Sequence, residues 1–298
     1  MELQMHAIVA RLGGELYGGG RRAVIPGPGH SRQDRSISLL LSPSGKVRVH
    51  AFSDHDWREV MDWLKANGLV SSEHRLLGGP TPELTYTPVP TEMQRTSVAR
   101  SLWSQGLPVT GTVSECWLRM ARKIARPLAS AVLRHARDVP YRVYDPKFAS
   151  GSHAFLAKVT QRDGEHTGTE ITYLTPTGRK AIHLRIPRKL VGSKPPGASV
   201  HIDPVATEMV VAEGVTSALS ASQYFDLPCH ALLGVKSFPS WRPPAGVRHV
   251  VIAAEPGGAG EKFSGLLQVA LLREGYRCRR EFPPEGLSDF NAFYGGGG

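Results

Sequence analysis

The sequence predicts an α+β N-terminal ribbon-like unit and a mixed middle region, followed by an α/β domain with a mainly parallel sheet. Three observations lead there. The last third alternates short apolar strands with helix-compatible segments: 209–212 then 215–224, 229–233, 249–254 then 259–274, and 276–282. Strands alternating with helices require crossovers, and crossovers make parallel sheets. Near the other end, Ser36 to Leu41 and Lys46 to Phe52 read as a hairpin around Ser42-Pro43-Ser44-Gly45. Between these regions, 68–96 is rich in Gly, Pro, Ser and Thr, and Gly78-Gly79-Pro80-Thr81-Pro82 breaks any regular element. The expected division is a unit over 1–70, a linker over 71–92, a helical and antiparallel β region over 93–204, and the α/β domain over 205–294.

Composition narrows the partners. The chain has 298 residues, 41% of them hydrophobic, enough for a packed core. No run approaches the roughly 18 apolar residues of a membrane helix. Met1 to Leu16 lacks a signal-peptide core, so a cytoplasmic protein with no membrane partner is expected. Cys116, Cys229 and Cys278 are far apart and odd in number, which fits neither a disulfide framework nor a CxxC metal site. All three are expected to be buried thiols. The net charge of +10 points to an anionic partner, with nucleic acid favoured.

In chain order, residues 1–17 are expected to form one amphipathic helix, weakened at Gly13 and Gly14. A helix over 56–67 puts Trp57, Val60, Met61 and Leu64 on one face, with Trp57 expected in its core. Helices are expected over 92–104 and 111–124, the second opened by a Thr112/Glu115 capping box, and another from Pro127 to about Arg137. On the 111–124 helix and its extension, Arg119, Arg122, Lys123 and Arg126 would share one face, suited to phosphates or to solvent. Strands are expected over 154–160, 169–174 and 180–186. Arg188 is one of several cations that make this stretch basic, and Lys180 and Lys194 are candidates for phosphate contact.

The chemistry gathers at strand ends. Met209-Val210-Val211-Ala212 runs into Glu213-Gly214, His249 to Ala254 runs into Glu255-Pro256-Gly257-Gly258, and Tyr276 to Phe282 leads to Asp289-Phe290-Asn291. The carboxyl ends of strands are where open α/β sheets bind ligands. Acids meeting there would hold Mg²⁺ or Mn²⁺ through hard oxygens. Glu255 and Asp289 equally suit helix N-termini.

The order strand–Glu–helix, strand–Glu–Gly-rich turn–helix, strand–Asp resembles the Toprim domain of topoisomerases and primases. The wording EGVTSALSA, VVIAAEPGGAG and LSDFNAF is most similar to primase-type proteins of phages and other mobile elements. The resemblance implies a Rossmann-like Toprim fold. It assigns Glu213 the catalytic acid–base role and Glu255 and Asp289 metal binding, with Gly214, Gly257 and Asn291 in support. It also marks departures. Gly257 replaces the second acid of a D-x-D pair, Glu255 replaces the first, Ala292 replaces a final acid, and Ser217 stands where primases tend to carry one more. Weak Mg²⁺ or Mn²⁺ binding with impaired two-metal chemistry is the expectation, and Glu261 is expected to point away.

The hairpin and helix of 1–70 resemble the zinc ribbon at the N-terminus of bacterial and phage primases, without its cysteines. Zinc is not expected, since four Cys/His ligands are the norm and only His30, Asp54, His55 and Asp56 are at hand. Template binding is the role implied here, with Arg21, Arg22, Arg32, Arg35, Lys46 and Arg48 on phosphates and Phe52 or Trp57 stacking. The implied activity is primer synthesis on single-stranded DNA from nucleoside triphosphates. No G-x-x-x-x-G-K-[S/T] run is present, so a helicase would be a separate partner. Two other readings stand beside this one: an inactive Toprim DNA-binding accessory protein, and a Toprim nuclease.

Overall fold

In a computed structural model of the protein, residues 4–18, 20–32, 34–52, 56–77, 90–128, 131–145 and 150–295 are described. Two units separate between Val89 and Pro90. In the first, helix α1 (Gln4–Leu12) stops at Gly13 and Gly14, so the single helix expected over 1–17 does not form. Gly14 has φ +123°, and a Cβ there would lie 2.2 Å from the Val24 carbonyl oxygen. Only glycine passes so close. The chain then turns into β1 (Glu15–Tyr17), which joins β2 (Arg22–Ile25), β3 (Ile37–Leu41) and β4 (Val47–Ala51) in an antiparallel sheet of order β1-β2-β3-β4. Helix α2 (Trp57–Ala66) is capped by Asp56, whose carboxylate accepts the Arg58 N–H at 2.8 Å while Glu59 reaches back to the Asp56 N–H. Val60, Met61 and Leu64 seal the core against Ile25, Ile37 and Leu39. Trp57 is not part of it: at the first turn it is 44% exposed. Bridges Lys46↔Arg75 and Val70↔Leu76 carry this unit past residue 70.

The ribbon's first loop is held by a carboxylate. Asp34 Oδ2 accepts from the Gly27 N–H at 2.9 Å and the Ser36 hydroxyl at 2.5 Å, and lies 3.0 Å from His30 Nδ1. Burial alone would raise the Asp34 pKa, but these hydrogen bonds outweigh it and hold the group well below the usual carboxylate range. His30 is thus a partner of Asp34, and Asp56 caps α2. Asp54 and His55 lie outside the described residues.

The second unit begins with α3 (Glu92–Ser104), capped reciprocally by Thr91 and Gln94. It packs on an antiparallel sheet of order β5-β6-β7-β8-β9: β5 (Leu107–Pro108), β6 (Leu133–Pro140), β7 (Gly151–Thr160), β8 (His166–Leu174) and β9 (Arg188–Gly192). Three sequence expectations give way here. The helix over 111–124 shrinks to α4 (Val113–Cys116) and a π-helical turn over Trp117–Ala121, because Trp117 and Leu118 bury while Lys123 takes φ +55°. The helix over 127–137 is replaced by β6, where pairing of Leu133 with Ala157 and His135 with Phe155 wins over helical periodicity. The strand over 180–186 reduces to a bridge, Leu174↔Lys180, and the strand itself comes later as β9.

The chain then builds a second five-stranded sheet, order β10-β12-β11-β13-β14. Its strands are β10 (Val200–His201), β11 (Glu208–Ala212), β12 (Cys229–Ala231), β13 (His249–Ala253) and β14 (Arg277–Glu281). All run parallel except β10. The central β11 and β13 bury both faces and read as continuous apolar runs, whereas β14, at the edge, is Arg277-Cys278-Arg279-Arg280-Glu281. Helix α5 (Val215–Phe225) follows β11 and packs closely through Ser217, Ala218, Ser220 and Ala221. A 3₁₀ turn (Val235–Ser240), α6 (Gly258–Arg273) and α7 (Phe290–Phe293) complete the unit. One apolar core runs through both sheets, from Leu133, Phe155 and Val200 to Val210, Ala218 and Phe290. Cys229 is buried and Cys278 half-buried, but Cys116 is exposed, contrary to expectation. Among the described residues no helix is long and apolar enough to cross a membrane.

Candidate active site

Strand register brings the first two acids together. β11 and β13 are adjacent and parallel, with Ala212 level with Ala253. Glu213 and Glu255 therefore leave the same edge of the sheet one and two residues later. Their carboxyls lie close enough to act on each other electrostatically. The Ser217 hydroxyl, one turn into α5, donates to Glu255 Oε1 at 3.1 Å. Close approach fixes the far side of the loop: a Cβ on Gly260 would lie 2.2 Å from the Glu255 carbonyl oxygen.

Such a pair cannot ionise freely. Burial raises the Glu213 pKa, opposed by Arg188, the Val235 N–H and Lys194. Burial, then the charge of Glu213, push Glu255 up to about 7, with Asp289 adding and Ser217 and Arg188 opposing. Glu255 is thus held partly protonated near neutrality. The linkage is testable. A carboxyl whose folded pKa is raised stabilises the fold fully below its unfolded pKa, and that stability is lost as pH rises through the folded value. Stability is expected to fall from about pH 4.5 to 7 by an Glu255-dependent amount of order 2 kcal/mol. His230, held neutral by burial at about 3, gives the opposite slope in acid. The difference between wild type and Glu255→Gln in urea melts across this range isolates the carboxyl; no difference in slope would contradict the raised Glu255 pKa.

Asp289 lies within electrostatic reach of Glu255, but one of its oxygens accepts the Ala292 N–H at 2.7 Å and caps α7. Asn291 is buried, donating to the Arg122 carbonyl at 2.6 Å and the Ser220 hydroxyl at 2.9 Å; it ties α7 to α5 and to the chain after the π turn. Gly257 has φ +105° with open space around it, and its N–H donates to Glu261 Oε1 at 3.2 Å, so Glu261 serves the start of α6. Gly214 is the N-cap residue of α5.

Among the described residues no group of three or more His, Cys, Asp or Glu is arranged to hold a metal ion. The half-buried Glu213 and Glu255 supply two hard-oxygen donors. That fits one Mg²⁺ or Mn²⁺ whose remaining positions go to water and phosphate, and does not fit two ions.

Beside the pair opens a basic cleft lined by Trp117, Arg122, Glu170, Thr172, Lys180, Arg188 and the first residues of α5, Val215 and Thr216. Burial and the neighbouring Arg188 and Arg122 lower the Lys180 pKa. Lys194 is not in the cleft lining: its ammonium donates to the carbonyls of Leu232 at 3.2 Å and Leu233 at 2.6 Å, and to the Ser237 hydroxyl. The four cations expected on one helix face part company. Arg119 donates to the Ile124 and Arg126 carbonyls at 2.6 and 2.8 Å, and Arg122 lies over the Trp117 ring and against Asn291. Lys123 sits in the left-handed turn, and Arg126 forms a forked ion pair with Asp203 at 2.8 and 2.5 Å. In the first unit Arg22, Lys46 and Arg48 are exposed, whereas Arg35 pairs with Glu15 at 3.0 Å and Arg21 donates to the Leu41 carbonyl at 3.1 Å.

Two residues were missed as site members. Ser217 carried a signal, four residues after Glu213. Glu170 carried none, since nothing in Thr169-Glu170-Ile171 marks a strand position whose acid turns inward beside Arg188.

Comparison with known proteins adds to this geometry. Residues 93–202 match a domain of unknown function (DUF7146), and residues 208–298 match the Toprim domain. No curated protein matches the chain. Among solved structures, the chain is similar to the Aquifex aeolicus primase, zinc-binding and RNA polymerase domains, at 13% identity and TM-score 0.46, covering 98% of this chain and 79% of that one. It is similar to the E. coli primase catalytic core at 11% identity and TM-score 0.45, covering 67% and 74%. It is similar to the primase fragment of the bacteriophage T7 primase-helicase at 16% identity and TM-score 0.36, covering 48% of this chain and 62% of that one. The parallel sheet with Glu213 and Glu255 at its carboxyl edge, together with the family match over 208–298, makes the C-terminal part of this protein a Toprim domain.

Proposed function

We propose that the protein is a primase-type nucleotidyltransferase of a mobile element, which binds single-stranded DNA in the cytoplasm and joins nucleoside triphosphates into short primers. The observation that carries this reading is the placing of Glu213 and Glu255 at adjacent parallel strand ends of a Toprim domain, beside the cleft of Arg122, Lys180 and Arg188. Glu213 and Glu255 would hold a divalent cation, which would supply charge neutralisation for the triphosphate. Ionised Glu213 is the group placed at the strand end to take the 3′-hydroxyl proton. Asp289 contributes negative potential from its cap. The cleft cations bind phosphate oxygens. Arg48, His50 and Phe52 alternate outward on and after β4, with the His50 and Phe52 rings 4.7 Å apart, a basic and aromatic stripe suited to unstacked bases. A separate helicase is a fitting partner.

The test is a priming assay on single-stranded DNA with Mg²⁺ or Mn²⁺ titrated. Metal-dependent short products are expected. No incorporation at any metal concentration, with salt-sensitive DNA binding retained, would move the assignment to an inactive accessory protein, and metal-dependent nicking would move it to a nuclease.

A further inference from the structure

Helix α5 opens without a side-chain cap. Gly214 holds its N-cap position and has no acceptor to offer the first N–H groups of this 11-residue helix. Its first two residues, Val215 and Thr216, line the basic cleft, so the positive end of the helix faces Lys180, Arg122 and Arg188 across one small space. Arg188 comes close to that end: its Nη1 lies 3.6 Å from the point where a Cβ on Gly214 would sit. Glu170 is the acid that lines the same cleft, and its ion pair with Arg188 spans 3.9 Å, beyond hydrogen-bond range. A second observation is independent of charge. Trp117, 3% exposed, also lines the cleft, and its indole N–H is buried without a hydrogen-bond partner. Buried indoles usually find an acceptor, and a donor left unpaired costs about 1–3 kcal/mol. The Arg122 guanidinium lies over the same ring at 5.4 Å. The free space is about 20 Å³, room for one water-sized group, so a phosphate oxygen enters it and a base does not.

We propose that this cleft is a phosphate site that works without a metal ion: a phosphate group accepts the Trp117 indole N–H, caps the open N-terminus of α5, and pairs with Lys180, Arg122 and Arg188. A tetrahedral group with several oxygens can accept from an indole, from backbone N–H groups and from side-chain cations at once. The site stands on the geometry of the cleft. That its phosphate belongs to a nucleotide or to the DNA strand rests on the priming reading above.

Calorimetric titration of inorganic pyrophosphate into the full chain, with EDTA present, reads the site without any turnover. Saturable binding is expected in the wild type. Trp117→Phe keeps most of the ring's bulk, removes the N–H, and is expected to weaken binding at least about 5-fold, the weight of one hydrogen bond. Lys180→Gln is expected to weaken it about 3- to 10-fold, the effect of one half-buried charge. Urea midpoints show whether each variant folds, and Lys180→Gln decides the matter if Trp117→Phe does not. Two competitors identify the source of the phosphate. Displacement of pyrophosphate by ATP places a free nucleotide's phosphate in the cleft, and displacement by a single-stranded oligonucleotide without a terminal phosphate places a backbone phosphate there. No pyrophosphate binding by the wild type in EDTA, or binding that neither substitution weakens, would overturn the proposal; displacement by neither competitor would overturn the nucleotide assignment. Primer synthesis is scored separately. EDTA-resistant, Trp117-dependent binding with no primers would leave this inference standing and remove the activity, whereas primers without such binding would do the reverse.

Discussion

Asp203→Ala is expected to destabilise the second unit by about 3–5 kcal/mol. The loss comes from Arg126, whose guanidinium is about four-fifths buried and forks onto Asp203. Truncating the acid leaves that charge uncompensated in the core-facing wall and strips the Cys229 N–H of its acceptor at 2.9 Å. Burial opposes the charged form of Arg126, and Asp203 is what reverses this and raises its pKa. Urea midpoints of wild type and Asp203→Ala measure the effect. The same pair settles how Arg126 differs from Arg48. Arg126→Gln is expected to lower stability with little change in the salt slope of DNA binding, whereas Arg48→Gln, fully outward on β4, lowers DNA affinity and that slope without moving the midpoint. A shallower salt slope in Arg126→Gln would contradict the division.

The second large effect is on chemistry. Glu213→Gln is expected to lower primer yield by about 10²- to 10⁴-fold, the range typical of losing a positioned proton acceptor. The amide keeps the size of the half-buried side chain, so the fold should stay intact, with its urea midpoint within about 1 kcal/mol of wild type. Yield unaffected by the substitution would remove Glu213 from the reaction.

Why was the C-terminal domain so legible? Its strands are buried on both faces, so Met209 to Ala212 and His249 to Ala253 announce themselves as apolar runs, and an acid after each falls at the sheet's carboxyl edge by construction of the fold. The middle region hid its structure because its elements are set by partners far away in sequence. Leu133-Arg134-His135-Ala136 satisfies a helix as readily as a strand, and only β7, some twenty residues on, decides the matter. The cations of 119–126 misled for the same reason. A helical wheel gave them one face, but a π turn and the left-handed Lys123 sent each to a different carbonyl, ring or carboxylate. Glu170 stayed invisible as a site residue because it belongs to the antiparallel sheet. It lines the cleft beside the start of α5 through tertiary packing, which no local pattern encodes. In the first unit the absence of cysteines was plain, but not what holds the loop: Asp34 gathers Gly27, His30 and Ser36 across a turn that a spacing argument does not see.

The central claim is that the Glu213–Glu255 pair holds one divalent cation. Mn²⁺ binding stoichiometry, read by EPR at saturation on wild type, Glu213→Gln and Glu255→Gln, tests it most directly. One ion per chain, lost or weakened at least about tenfold in both variants, is the predicted result. Two ions per chain, or one ion whose affinity neither substitution changes, would contradict it.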